Sequence, residues 1–326
     1  MFRTQYHETE PVRVDKFLAE QVTEVSRQQI KELIKAGLVT KDGEPIKKPK
    51  EMISLGQVIE VDVAEWKRRQ YAGGTPEIDQ AMKDQVKVVF EHADFLVIEK
   101  PAGLLVHRTN NPNSYSLVEI LKERFPDITG VSEPMENRND GNLQDRDGIV
   151  HRIDKDTSGL LIIARNFDAY YYFKSLFQNR QIIKKYICLV RGIVKEDLGE
   201  IRFPITRSKL DHTRRVAVMN KDDQEFYGKK RSALTEYIVL DRLNDVTLLD
   251  VFLHTGRTHQ IRVHMKAIGH PIVGDRIYGT KEDQAESLQR QFLHASELKF
   301  QYEGQEYHFK SELPNDLAQT LESYSH

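Results

Sequence analysis

Asp154 stands in a segment unlike any other in the chain. His151-Arg152-Ile153-Asp154-Lys155-Asp156-Thr157-Ser158-Gly159-Leu160-Leu161 places a carboxylate after an apolar stretch, among a histidine, an arginine, two hydroxyls and a glycine. An ionised carboxylate held in a tight turn can serve as a nucleophile or a base. The same residue types suit a hydrogen-bonded turn or an ion pair, and the segment alone leaves both readings open.

Other chemistries are refused by spacing. The chain has no G-x-G-x-x-G for a dinucleotide and no G-x-S-x-G elbow, so a hydrolase built on His151 and Ser158 lacks its scaffold. Gly274 to Lys281 imitates a phosphate loop but runs Gly279-Thr280-Lys281, with the lysine after the hydroxyl residue. His151-Arg152-Ile153-Asp154 imitates a kinase catalytic loop, yet an isoleucine separates Arg from Asp and no D-F-G follows. Cys188 is the one cysteine, which excludes an intramolecular disulfide and any thiolate cluster. His259 and His264, five residues apart, point about 140° apart on a helix, so they do not share a metal. The expectation is no metal and no cofactor.

The elements that must carry Asp154 are drawn from a chain of 326 residues, long enough for one large domain or two modest ones. With 30% charged residues and no apolar run near the roughly eighteen needed to cross a bilayer, a soluble cytoplasmic protein is expected. Residues 12–63 read as a compact unit. Val14, Leu18 and Val22 share one helix face, and a second helix runs from a Ser26 cap through Ile30, Leu33 and Ile34 to Gly37. Strand pieces follow at 38–40 and 57–63. Residues 64–84, with Gly73-Gly74 and Pro76, read as a linker.

Residues 85–326 read as an α+β domain on a largely antiparallel sheet, because strands follow one another without a helix between each pair. Strands are expected at 86–90, 95–99, 149–153, 160–164, 186–190, 233–240 and 246–253, and helices at 116–125, 167–178 and 258–268. The net charge of -2 hides local excesses. Ser26 to Lys50 carries seven bases against three acids, Arg202 to Val216 five against one, and Lys281 to His326 four against nine. Such asymmetry suits a polyanionic partner as well as a solvated face.

The Asp154 block resembles the H-R-L-D-x-x-T-S-G-L-L signature of the RluA-type pseudouridine synthases, with Ile153 in place of leucine. Other blocks of that family follow in order. Asp94 to Gly103 with Val106-His107 is similar to the K-P-x-G turn. Lys184-Lys185-Tyr186 with Leu189-Val190 and Gly192 is similar to the K-x-Y segment. His254 to His264, Gly269 to Asp275 and Tyr278-Gly279 are similar to the closing block. Residues 12–63, with Arg13-Val14-Asp15-Lys16 and Ser26-Arg27, resemble the S4-type RNA-binding domain carried by one branch of the family.

The resemblance implies an RNA pseudouridine synthase, acting first on large-subunit ribosomal RNA and alternatively on transfer RNA, without a cofactor. A binding or ribosome-assembly factor is the alternative from another class. Asp154 matches the catalytic aspartate, Arg262 the arginine that pairs with it, and Tyr186 the tyrosine lying against the target base. Arg152 matches a residue that fills the space left by a flipped base, and His151 shares that space or packs beside it. Arg257 takes a phosphate, though it and Arg262 could exchange roles. Thr157, on the substrate side, shapes the turn with Ser158 and Gly159. Arg27, Lys31 and Lys35 recur every four residues along one helix face, and with Lys41, Lys47, Lys48 and Lys50 they form the RNA-facing cluster of the small domain. A monomer is expected.

Overall fold

The structure, a computed structural model, describes residues 1–22, 25, 27–71, 80–108, 115–133, 146–209, 211, 213–219, 230–281, 283 and 288–325. The chain forms two compact units. One comprises Met1–Glu77 with Arg108–Tyr115 and Glu133–Asp145, the other Ile78–His107, Ser116–Ser132 and Arg146–His326.

In the first unit the helices Val14–Gln21 and Arg27–Lys35 bury Val14, Phe17 and Leu18 on one side and Ile30, Leu33 and Ile34 on the other. Gly37, at φ 71°, ends the second helix in the left-handed conformation that glycine adopts without strain. Ser26, the expected cap, lies outside the described residues. An antiparallel sheet runs Phe2–Gln5, Val58–Val61, Val39–Lys41, Glu44–Pro45. Sequence reading omits Phe2–Gln5, because four residues carry too short an alternation to stand out. Val63 opens a helix, Val63–Tyr71, rather than extending the strand. The Asp62 carboxylate accepts the Glu65 amide at 2.9 Å, an N-cap, and Trp66 is buried in this unit's core. Helix Gln80–Asp84 also falls inside the span 64–84 that composition reads as linker.

The second unit is built on a nine-stranded sheet. Its order is Leu198–Ile201, Thr235–Leu243, Val246–Leu253, Ile183–Arg191, Leu293–Tyr302, Ser158–Ala164, Phe95–Lys100, Lys87–Glu91, with Gln305–Lys310 also paired to Leu293–Tyr302. All pairs are antiparallel except the junction of Leu293–Tyr302 with Ser158–Ala164, which is parallel and only two residues long, His294 to Ser158 and Ala295 to Gly159. Helix Phe167–Gln178 lays Ala169, Tyr170, Phe173 and Leu176 into the core with Phe95, Phe300 and Tyr302. Helix Leu117–Arg124 starts on a Ser116/Glu119 capping box.

The short parallel junction needs Gly159. Its φ is 120°, and a Cβ there would overlap the carbonyl of Ala295. The expected strand at 149–153 does not form. Ile149 makes an isolated bridge to Ile163, and the strand Ser158–Ala164 is satisfied along that edge by single groups instead. The Ala164 amide donates to the Gly148 carbonyl at 2.8 Å and the Ile162 amide to the His151 ring at 2.9 Å. A side chain thus replaces a ladder partner, which frees the chain around Asp154 to turn. Strands Leu198–Ile201, Ile205–Arg207, Arg215–Ala217, Leu293–Tyr302 and Gln305–Lys310, and helix Asn315–Tyr324, are additions to the sequence reading.

Candidate active site

Asp154 follows Ile153 on an irregular stretch and heads a turn in which the Thr157 amide donates to the Asp154 carbonyl at 3.2 Å. Its carboxylate remains partly open to solvent and accepts one hydrogen bond from Arg262 Nη1 at 3.1 Å. Arg262 comes from helix Gln260–Ala267, which is buried all round from Gln260 to Met265. It is 4% exposed, and Asp275 grips the rest of the guanidinium in a fork, Nε to Oδ2 at 2.6 Å and Nη2 to Oδ1 at 2.8 Å.

Asp275 is itself fixed by amides. Those of Ile277 and Tyr278 donate to its Oδ1 at 2.9 and 3.0 Å. Burial alone would raise the Asp275 pKa, but the hydrogen bonds and charge of Arg262 outweigh it and hold the group below its ordinary value. For Arg262 burial pulls down, and Asp275 with Asp154 pulls harder upward. The result is a rigid cation shared between a buried carboxylate that orients it and an accessible carboxylate that it orients.

Tyr186 lies on the central strand Ile183–Arg191, in register with Ala295 on one side and Val251 on the other, next to the parallel junction. Burial, and then the charge of Asp154, push its phenol well above the ordinary tyrosine value. The ring is therefore a protonated, largely apolar surface beside the carboxylate.

The other predicted residues divide. Arg152 is exposed, two positions before Asp154. His151 turns inward, its ring tilted by 33° against Phe177 with centroids 4.4 Å apart. Because its Nε2 accepts the Ile162 amide, the neutral ring carries its proton on Nδ1. Thr157 is buried, its hydroxyl taking a hydrogen bond from Gln291 Nε2 at 3.0 Å, so it braces the turn from below instead of facing outward. Arg257 donates to the Ser232 carbonyl at 3.0 Å and stands in a crowd of arginines. Burial and then Arg231 and Arg180 depress it, while burial, then Arg207, and also Arg152 and Arg231, depress Arg215.

In the first unit Lys35, Lys47, Lys48 and Lys50 are exposed and Lys31 is half-buried. Lys41 is engaged by Glu51 at 2.6 Å. The side chain of Arg27 lies outside the described residues.

Residues missed from the sequence complete the site. Asp275 closes the Gly269–Asp275 segment, where nothing in the sequence marks its partner. His259, at φ 58° before its helix, shares a 2.8 Å hydrogen bond between Nδ1 and the Tyr278 hydroxyl, and the Tyr278 ring stacks under the Arg262 guanidinium at 5.1 Å. Lys100 is wholly buried and donates to the carbonyls of Pro101, Leu104 and Lys155 at 2.7, 2.9 and 2.8 Å. Burial brings its pKa down to about 7, yet three acceptors match the three protons of an ammonium.

Two imidazoles give the site a pH signature. Burial, and then Lys184, depress His151 to about 3, and burial depresses His294, held between the Ser158 and Ser311 hydroxyls, to about 4, against an ordinary 6.5. In the unfolded chain both take a proton near 6.5, so between that pH and the folded values the unfolded state binds more protons. Stability therefore falls as pH drops. Each group costs about 2 kcal/mol between pH 7 and pH 5. Urea unfolding at the two pH values measures this, and equal stability at both would contradict neutral, buried rings.

Among the described residues no cluster of three or more His, Cys, Asp or Glu could hold a metal ion, and no helix is long and apolar enough to cross a membrane.

The family model described as RNA pseudouridylate synthase matches residues 94–267, and the S4 domain model matches residues 12–59. The chain belongs to the RNA pseudouridine synthase family. It joins the family's catalytic domain to an S4 RNA-binding domain, and RNA is its partner. A chain from Aquifex aeolicus (strain VF5), described as an uncharacterized RNA pseudouridine synthase, is 39% identical over 280 residues, covering 84% of this chain and 79% of its own length. The ribosomal large subunit pseudouridine synthase D of Zymomonas mobilis subsp. mobilis is 31% identical over 318 residues, covering 94% and 91%. The structure of human RNA pseudouridylate synthase domain containing 1, 24% identical, superposes with a TM-score of 0.56 over 74% of this chain and 95% of that one. This likeness shows a shared fold, α+β with a largely antiparallel sheet.

Proposed function

We propose that this synthase isomerises uridine in large-subunit ribosomal RNA, in the cytoplasm and without a cofactor, with Asp154 as the group that meets the ribosyl-uracil bond. The observation that carries the reading is the Asp154–Arg262 ion pair at 3.1 Å, with Tyr186 near enough for the Asp154 charge to act on its phenol. Isomerisation requires the N1–C1′ bond to break, the uracil to turn, C5 to join C1′ and the C5 proton to leave. A carboxylate aimed by a fixed cation can add to the nucleotide or take a ribose proton. Tyr186 offers the base a surface to stack on, worth roughly 1–3 kcal/mol in nucleic-acid sites.

A base inside folded RNA is out of reach, so the target nucleotide is extruded, at a cost of a few kcal/mol. Arg152, exposed two residues before Asp154, fills the gap in the stack. Arg215, depressed by burial and then by Arg207, Arg152 and Arg231, and Arg257, depressed by burial and then by Arg231 and Arg180, lie among positive charges that suit a polyanion. Phosphates relieve that repulsion. Lys35, Lys47, Lys48 and Lys50 take the same role in the S4 unit. Ribosomal RNA is favoured over transfer RNA by the likeness to the Zymomonas ribosomal large subunit pseudouridine synthase D, which matches 94% of this chain.

Pseudouridine mapping of total RNA from cells with and without the gene tests this. One or a few large-subunit positions should lose the modification and regain it with the wild-type gene. Loss confined to transfer RNA would overturn the ribosomal reading.

A further inference from the structure

Every residue of the turn after Asp154 is held by a side chain from elsewhere in the second unit. Lys155 is held at its carbonyl by Lys100 at 2.8 Å, and Asp156 at its carbonyl by Arg290 Nη1 at 3.3 Å. Thr157 is held at its hydroxyl by Gln291 at 3.0 Å, and Ser158 at its hydroxyl by His294 Nδ1 at 2.9 Å. Three of the four holders sit together at 290–294, beyond residue 267 where the family match ends.

Arg290 is in turn held from the last helix of the chain. Asp316, in the first turn of Asn315–Tyr324, takes Nε at 2.6 Å and Nη2 at 2.9 Å in a two-pronged fork. The Arg290 side chain is 8% exposed, and its planar fork allows one orientation with both prongs satisfied. That orientation delivers the remaining nitrogen to the Asp156 carbonyl. The charges of Arg290, Asp154, Asp156 and Lys155 all act on buried Lys100, which places the whole set within one electrostatic neighbourhood. Without Asp316 the guanidinium is a nearly buried cation with one long hydrogen bond. It then swings toward water and releases the turn.

We propose that Arg290 and Asp316 are positioning residues for Asp154, and that the C-terminal helix thereby sets the aim of the reacting carboxylate. The proposal rests on Asp154 being the reacting group. Neither residue touches substrate: both act through the backbone of the turn, so their loss should appear in the rate of the chemical step and not in RNA affinity.

The test uses the full chain in single-turnover assays across RNA concentration, with Asp316→Ala, Asp316→Asn, Asp316→Glu, Arg290→Met and the double variant Asp316→Ala/Arg290→Met. Asp316→Ala should lower the limiting rate about ten- to hundred-fold, with half-saturation within about two-fold of wild type. Asp316→Glu should recover most of the rate, and the double variant should be no slower than Arg290→Met alone, since both remove one fork. Asp316 is half exposed at its side chain, so Asp316→Asn carries the test even if Arg290→Met does not fold. A limiting rate within about two-fold of wild type in folded Asp316→Ala and Asp316→Asn overturns the proposal, as does a loss confined to half-saturation. Asp154→Asn is assayed alongside: turnover by that variant strikes the reading beneath, whereas an inactive Asp154→Asn with a wild-type Asp316→Ala strikes the positioning role alone.

Discussion

Arg262→Gln should slow turnover by about 10²- to 10³-fold and destabilise the second unit by about 3–5 kcal/mol. Arg262 makes three hydrogen bonds to two carboxylates while only 4% exposed. Removing the cation leaves Asp275, 1% exposed, with the amides of Ile277 and Tyr278 against its charge. The stability loss comes from that orphaned carboxylate. The rate loss has a second origin, since Asp154 loses the partner that fixes its orientation. Arg262→Lys should rescue little, because an ammonium cannot form the fork to Asp275 while reaching Asp154. Urea unfolding and single-turnover assays separate the two effects. Near-wild-type values in both would mean that the arrangement around Asp154 does not depend on this cation.

How far the site could be read in advance follows from what kind of signal each residue carries. Asp154, Arg262 and Tyr186 stood in motif blocks, and the fold brings the first two into contact across 108 residues of sequence. Asp275 stood in such a block too, but a lone acid after a glycine carries no sign of its partner; only the folded register aims it at Arg262. The resemblance gives Thr157 a part in shaping the turn and leaves His151 either in the space of the flipped base or packed beside it. Both point inward, since the edge of the strand Ser158–Ala164 needs acceptors and the turn needs a floor, and such demands appear only once the strands are paired. Lys100 illustrates the converse, as a lysine in a strand is ordinarily assigned to the surface.

The fold was legible where periodicity runs long. Helix Phe167–Gln178 and strand Val246–Leu253 lie where their patterns place them. The strand expected at 149–153 failed because five apolar-leaning residues fit a strand equally well as an irregular segment capped by a histidine ring. Leu293–Tyr302, which completes the floor under Asp154, went unread although its alternation is clear. Its role depends on pairing at once with Ile183–Arg191, Ser158–Ala164 and Gln305–Lys310, a long-range demand that local pattern does not carry.

The most direct measurement is pseudouridine formation by purified Asp154→Asn, freed of wild-type enzyme, on an RNA that the wild-type chain modifies. Asparagine keeps the volume of the side chain and can still accept from Arg262, so the turn and the RNA surface are retained. It cannot act as a carboxylate nucleophile or base. The single-turnover rate should fall by about 10⁴-fold or more, with RNA affinity close to wild type. Turnover at a rate comparable to wild type, with pseudouridine identified in the product, would contradict the assignment of Asp154 as the reacting group.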